Sequence, residues 1–274
     1  MVFGLIFGLV CAVSSNNWLL IWLGLEINMM SFLPLIGNNN SSKKKVSLYF
    51  VVQSIGSLLI LATGIMQINI TARIMILALS LKMGIIPVHF WIPPLISTMK
   101  SYQMSLLLTI QKISPLVLLK VVMNSAFLTT LLVLNAILGG MMVMISMMMP
   151  LLLLFSGTIH LSWLLSALNT SMFWNYMIIY MFLLTAIIKF WDMNQKNSMQ
   201  LTLLNFGGIP PFLGFSLKLN TLSMLNSIHI PPLLMGSCMS LYAYVRLLLS
   251  GMTVSKKKVA EKLSPGAILL LIPQ

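Results

Sequence analysis

Apolar runs alternate with short polar or Pro/Gly clusters along almost the whole chain. Their lengths predict helices near residues 1–13, 18–36, 46–68, 74–96, 102–123, 125–146, 150–168, 172–191, 200–226 and 231–252. A last apolar stretch, 264–272, is too short to span a bilayer. The runs are continuous, whereas barrel strands alternate apolar and polar positions with period two, so helices are expected. The predicted fold is all-α: a polytopic transmembrane helix bundle of about ten crossings, forming a single integral membrane domain over 1–274. The opening MVFGLIFGLVCAV lacks a basic n-region and runs straight into SSNN, so it reads as a short first helix and not as a cleavable signal peptide.

Two of these segments are poor continuous helices. The fourth contains LKMGIIPVHFWIPP and the ninth NFGGIPPFLGFSLK, each with Gly followed by Pro well inside the run. Proline removes a helical N–H and clashes with the preceding turn, and hydrocarbon cannot satisfy the backbone groups set free. Both helices are therefore expected to break at Gly/Pro in mid-membrane, with protein or water around the break. Paired interruptions of this kind point to an ion or substrate path; an ordinary proline kink is the plainer alternative for either one alone.

Composition sharpens this picture. Of 274 residues 59% are hydrophobic and 7% charged, far from the roughly 25% charged of a soluble domain. The formal charge of +13 comes from 16 Lys and Arg against Glu26, Asp192 and Glu261. These cations are not interleaved along an aromatic polar face, which argues against nucleic acid as a partner. Most fall between the runs: Lys43, Lys44, Lys45, Lys100, Lys196, Lys256, Lys257, Lys258 and Lys262 follow the second, fourth, eighth and tenth segments, and Arg73 lies on the other side. The bias places the N-terminal face on the cytoplasm-like side, the matrix in a mitochondrion. Cys11 and Cys238 both sit in apolar runs and offer neither a disulfide framework nor a metal-ligand spacing. The 24 Met are sufficiently explained as flexible filler.

Ionisable side chains that fall inside predicted spans or at their ends include Glu26, Lys82, Lys112, Lys120, Lys189 and Lys218. A charge at mid-bilayer costs about 2.5–3.5 kcal/mol on insertion scales, so it rarely persists without a partner or a task. Lys120 and Lys189 lie near helix ends and can snorkel. Glu26 and Lys82 each lie about eight residues into helices that start from the same face, about 12 Å deep, and can pair. Lys112 is near the midplane, and Lys218 follows the ninth-segment break. Desolvation favours the neutral amine, so an unpaired buried lysine can exchange protons, and a Glu26–Lys82 pair can act as an electrostatic switch. Static bridges fixing helix register are the bland alternative. His160, in the otherwise apolar FSGTIHLSW, is the best relay candidate among His89, His160 and His229, although a lone histidine is more often a hydrogen-bonded structural one. No Gly-rich nucleotide loop, Cys cluster or Ser–His–Asp order is visible, so NAD, flavin, haem and iron–sulfur centres are not expected in this chain.

Five stretches in order, NWLLIWLGLEINMMSFLPL, ALSLKMGIIPVHFWIP, TIQKISPLVLL, SGTIHLSWLLSAL and LNFGGIPPFLGFSLK, resemble the subunit 2 family of mitochondrial NADH:ubiquinone oxidoreductase, respiratory complex I, across roughly residues 14–250. The resemblance implies an antiporter-like membrane-arm subunit, whose broken helices and central row of charges carry protons while electrons move in other subunits. It matches Glu26 to the family's glutamate in GLE-N, Lys82 to the lysine of K-G-P-HFW, Lys112 to that of QK-P and Lys218 to that of GG-PP-GF-K. NADH, FMN, iron–sulfur clusters and ubiquinone would belong to other subunits. The partners implied are other membrane-arm subunits in a hetero-oligomer, and phospholipid, in the mitochondrial inner membrane. Two departures stand out. MISMMMPLLLLFSGTIH is apolar where the family usually carries a basic stretch, and SPGAILLLIPQ follows Lys262 where the family has a further crossing. The rival classes are a free-standing cation/proton secondary transporter, for which one intramembrane carboxylate is a meagre supply, and a structural spacer, which has no need of four buried charges.

Overall fold

A computed structural model describes residues 2–37, 43–66, 71–122 and 125–255. Thirteen helices occur among them: α1 Val2–Ser14, α2 Trp18–Ile36, α3 Lys43–Met66, α4 Thr71–Met83, α5 Ile92–Ile96, α6 Ser101–Leu108, α7 Ile110–Val122, α8 Ser125–Ile145, α9 Met149–Ser166, α10 Phe173–Asp192, α11 Lys196–Gly207, α12 Leu213–Leu222 and α13 Ile230–Ser255. A 3₁₀ turn at Ser227–His229 leads into α13, and no strand occurs among the described residues. Among the described residues seven helical stretches are long and apolar enough to cross a membrane, the mark of a multi-pass membrane protein. The chain divides into two compact units, Met1–Leu131 and Leu132–Gln274.

In the first unit α1 and α2 pack backbone to backbone. A Cβ on Gly24 would lie 2.6 Å from the Ala12 nitrogen, and one on Gly8 would lie 2.7 Å from the Asn28 nitrogen, so only glycine permits this approach. Phe32, Tyr49 and Trp91 form an aromatic chain with centroids 5.7 and 5.5 Å apart, tying α2 and α3 to the segment after α4. Helix α4 stops at Met83, where Gly84 takes φ +68°, and the non-helical stretch to Trp91 includes a cis Ile86–Pro87 bond. The carbonyls that lose their helical donors find others: Leu81 O accepts from Gly84 N (3.2 Å) and Trp91 Nε1 (3.1 Å), and Lys82 O accepts from Gln53 Nε2 (3.1 Å). Protein thus supplies what hydrocarbon could not.

In the second unit α9 is the most enclosed helix, buried without interruption from Leu152 to Leu165. Asn135 on α8 donates to Thr158 O at 2.6 Å, and Gly236 on α13 lets the Ala136 carbonyl of α8 come within 2.8 Å of where its Cβ would be. Helix α11 ends at Gly208, φ +80°, and a cis Pro210–Pro211 bond precedes α12. Asn205 Oδ1 accepts from Gly214 N at 2.8 Å, bridging the interruption.

Several boundaries differ from the sequence reading. Lys43–Lys45 form the first turn of α3, and Arg73 and Lys196 lie in the first turns of α4 and α11, so these cations start helices and are not loop residues. Flanking lysines can extend to polar surroundings from a helix end, so apolarity alone placed the starts too late. The fifth segment is interrupted at Thr109, between α6 and α7, where no Gly or Pro announces it. Lys256, Lys257, Lys258, Glu261, Lys262 and the 264–272 stretch lie outside the described residues.

Candidate functional site

The first unit places three of the sequence candidates around α3. Gln53, Gly56 and Ser57 share one face of that helix at spacings of three and four residues. Ser57 is fully buried and its hydroxyl donates to Glu26 Oε1. The same hydroxyl lies 2.9 Å from the Ser54 carbonyl oxygen. Gly56 makes room for the Lys82 stem, whose Cγ would lie 3.1 Å from a Cβ at that position, and Gln53 holds the Lys82 carbonyl. Lys82 is buried, Glu26 half-buried, and the two are coupled electrostatically. The hydrogen bond on the carboxylate comes from Ser57.

Lys82 and Lys112 line a common small cavity, about 10 Å³ in volume, with Tyr49, Gln53, Trp91 and Gln111. A second cavity of about 10 Å³ brings Lys82 and Gln53 together with Asn28, Gln111 and Ser114. Gln111 Nε2 donates to Asn28 Oδ1 at 3.1 Å. Lys112 Nζ and Ser114 Oγ are buried without a hydrogen-bond partner among the described residues. The helix around Lys112 is also irregular: Lys112 N donates to Thr109 O at 3.0 Å, and Pro115 has no N–H to offer the Gln111 carbonyl. Each cavity is close to the size of a single water, and amide and amine groups line both.

The second unit holds His160 and Lys218. His160 Nδ1 lies 2.8 Å from Tyr176 Oη, and its ring sits 4.1 Å from that of Phe206 and 5.3 Å from that of Tyr180. Lys218 Nζ donates to Gly207 O at 2.6 Å, at the C-terminal end of α11, where the helix dipole favours a cation. Phe206 therefore connects the histidine cage to the residue that binds the lysine. His89 is half-buried in the stretch after α4, and His229 lies in the turn before α13. Lys120 and Lys189 are exposed. No cluster of three His, Cys, Asp or Glu suited to a metal occurs among the described residues.

Ser57, Gln53, Gln111, Asn28 and Tyr176 complete these clusters and were not singled out in the sequence. A signal for two of them exists in VVQSIGS, where Gln53 and Ser57 stand one helical turn apart in an apolar run.

Apolar helices, three of the apolar segments interrupted near a buried lysine, define a membrane protein with an ionisable interior. No protein-family model matches the chain. Its fold matches a chain of the respiratory complex I structure from Thermus thermophilus with bound aureothin, with TM-score 0.82 and 17% identity, covering 96% of this chain and 74% of that one. The chain is 31% identical over 288 residues to NADH-ubiquinone oxidoreductase chain 2 of Artemia franciscana, covering 97% of this chain and 94% of its relative. It is 34% identical over 282 residues to the same chain of Anopheles gambiae, covering 89% and 82%. The chain belongs to the NADH-ubiquinone oxidoreductase chain 2 family.

Proposed function

We propose that this chain is a membrane-arm subunit of the mitochondrial inner-membrane NADH:ubiquinone oxidoreductase and carries a proton path driven by electron transfer in other subunits. The whole chain acts as one membrane domain of ten crossings: α4 with α5, α6 with α7, and α11 with α12 each count as one, and the breaks after Met83 and Gly207 lie within the membrane. NADH, FMN, iron–sulfur clusters and ubiquinone are held elsewhere in the hetero-oligomer, and phospholipid surrounds the exposed apolar faces.

The observation that carries this reading is the cavity shared by Lys82 and Lys112, with the Lys112 amine buried and without a hydrogen-bond partner among the described residues. Two ammonium groups facing one small cavity repel each other, so it favours one positive charge over two. A proton arriving at one lysine therefore encourages release from the other. Glu26 biases that balance through Lys82. Lys112 is the central exchanging group, and Glu26 with Lys82 gates it; His160 and Lys218 are the proton-path groups of the second unit. An inert spacer leaves the buried Lys112 amine without a task, and family membership favours a complex I subunit over a free-standing transporter.

The test is substitution of Lys112 in the assembled complex. Met keeps much of the side-chain length and removes the titratable amine, whereas Arg keeps a charge that it does not release near neutral pH. Both variants should retain NADH oxidation and lose most NADH-driven proton uptake into sealed vesicles. Normal proton stoichiometry in an assembled Lys112→Met complex would falsify the role, and rescue by Arg would reduce Lys112 to a fixed charge.

A further inference from the structure

Ser57 has one hydroxyl proton and two acceptors. Its Oγ reaches Glu26 Oε1 on α2 and, at 2.9 Å, the Ser54 carbonyl of its own helix. A single O–H donates well to only one acceptor at a time, while the oxygen keeps lone pairs free to accept. When Glu26 is ionised, the hydroxyl is drawn to the carboxylate by a charge-assisted bond. When Glu26 is protonated, it becomes the donor: its O–H is given to Ser57 Oγ, and the Ser57 hydrogen rotates to Ser54 O. Both states leave the Ser57 hydroxyl and Glu26 Oε1 hydrogen-bonded, and passing between them requires only hydrogens to move.

The location gives this rotor its consequence. Ser57 is fully buried and adjoins Gly56, against which the Lys82 stem packs, one turn from Gln53, which holds the Lys82 carbonyl. One face of α3 thus touches both the carboxylate and the lysine. Resting on the gating role given above to Glu26 and Lys82, we propose that Ser57 is a positioning residue for that gate. Its hydroxyl holds the Glu26 carboxylate when ionised, in competition with the Lys82 ammonium, and accepts the carboxyl proton when it is not.

The experiment compares Ser57→Ala, Ser57→Thr and Glu26→Gln in assembled complex reconstituted into vesicles, reading NADH-driven proton uptake and the infrared carboxyl band assigned to residue 26 by its loss in Glu26→Gln. Ser57→Ala should shift that band to higher frequency, as expected of a carboxyl group that has lost a hydrogen bond, and should lose most proton uptake. Ser57→Thr keeps the hydroxyl and should restore both. An unshifted band in Ser57→Ala, a shifted band with normal uptake, or an assembled Ser57→Thr complex that restores neither overturns the assignment. The two readings fail separately: normal uptake in Glu26→Gln overturns the gating role itself, whereas impaired Glu26→Gln beside normal Ser57→Ala overturns only the part given to Ser57.

Discussion

Gly208 condenses much of what single residues do in this chain. Its φ of +80° is open to glycine at little cost, and a Cβ there would lie 3.1 Å from both Cδ and Nζ of Lys218. An L-residue in that conformation costs about 1–2 kcal/mol before any crowding is counted. Gly208→Ala should therefore lower the temperature at which the assembled complex is lost on native electrophoresis and should disturb the bond from Lys218 to Gly207 O. Gly37→Ala is the control, because Gly37 has an ordinary φ of −68°. Equal heat tolerance of the two variants would show that the α11 end tolerates a side chain and that the lysine is not fixed by it. At this scale the sequence was most legible where a residue violated its surroundings: Glu26, Lys82, Lys112 and Lys218 stand out because charge in an apolar run is costly. Ser57 did not stand out, because serine is common in membrane helices and its significance lies in the carboxylate that another helix brings to it.

Among elements, helix ends show what sequence patterns miss. Helix α8 finishes at Ile145, and its last carbonyls have no helical donors of their own. Arg246, from the interior of α13, supplies them: Nη1 donates to Met144 O and Nη2 to Ser146 O, both at 2.6 Å. The planar fork of guanidinium reaches two acceptors at fixed separation, which an ammonium point charge does not. Hydrogen bonds to a charged group are each worth about 1.5–3 kcal/mol, so Arg246→Ala should loosen the α8–α9 connection. Limited proteolysis of assembled complex should cut more readily around Ser146–Met148, and Arg246→Lys should recover only part of the protection; unchanged cleavage in Arg246→Ala would remove the clamp from the account. The sequence could not announce this contact, since partner carbonyls 100 residues away carry no side-chain signature. Nor could it announce the interruption at Thr109, which arises from local backbone geometry in a stretch of ordinary helix formers. The ends of α4 and α11 were easier to read because Gly and Pro act on the backbone directly.

Over the whole molecule, the distribution of cations becomes a statement about sides. Within the first unit, Lys45 at the start of α3 donates to Ser97 just after α5 at 3.3 Å, and Gln103 at the start of α6 donates to Leu35 O near the end of α2. These contacts gather Lys43, Lys44, Lys45 and Lys100 at one end of that unit. Arg73 begins α4, which runs toward that end from the other. The ten crossings proposed above would carry Lys196 to the same side as the lysine cluster, and by the bias of basic residues toward the cytoplasm-like face that side is expected to be the matrix. Lys43, Lys44, Lys100 and Lys196 are all exposed, so a membrane-impermeant amine reagent can report their position. Labelling should be strong in inside-out inner-membrane vesicles and weak in right-side-out ones. The number of crossings enters directly, because one fewer between Lys100 and Lys196 would send Lys196 to the opposite face while leaving the first-unit cluster in place. Labelling of Lys196 from the intermembrane side alone would overturn the count, and labelling of Lys43 and Lys44 from that side alone would overturn the orientation.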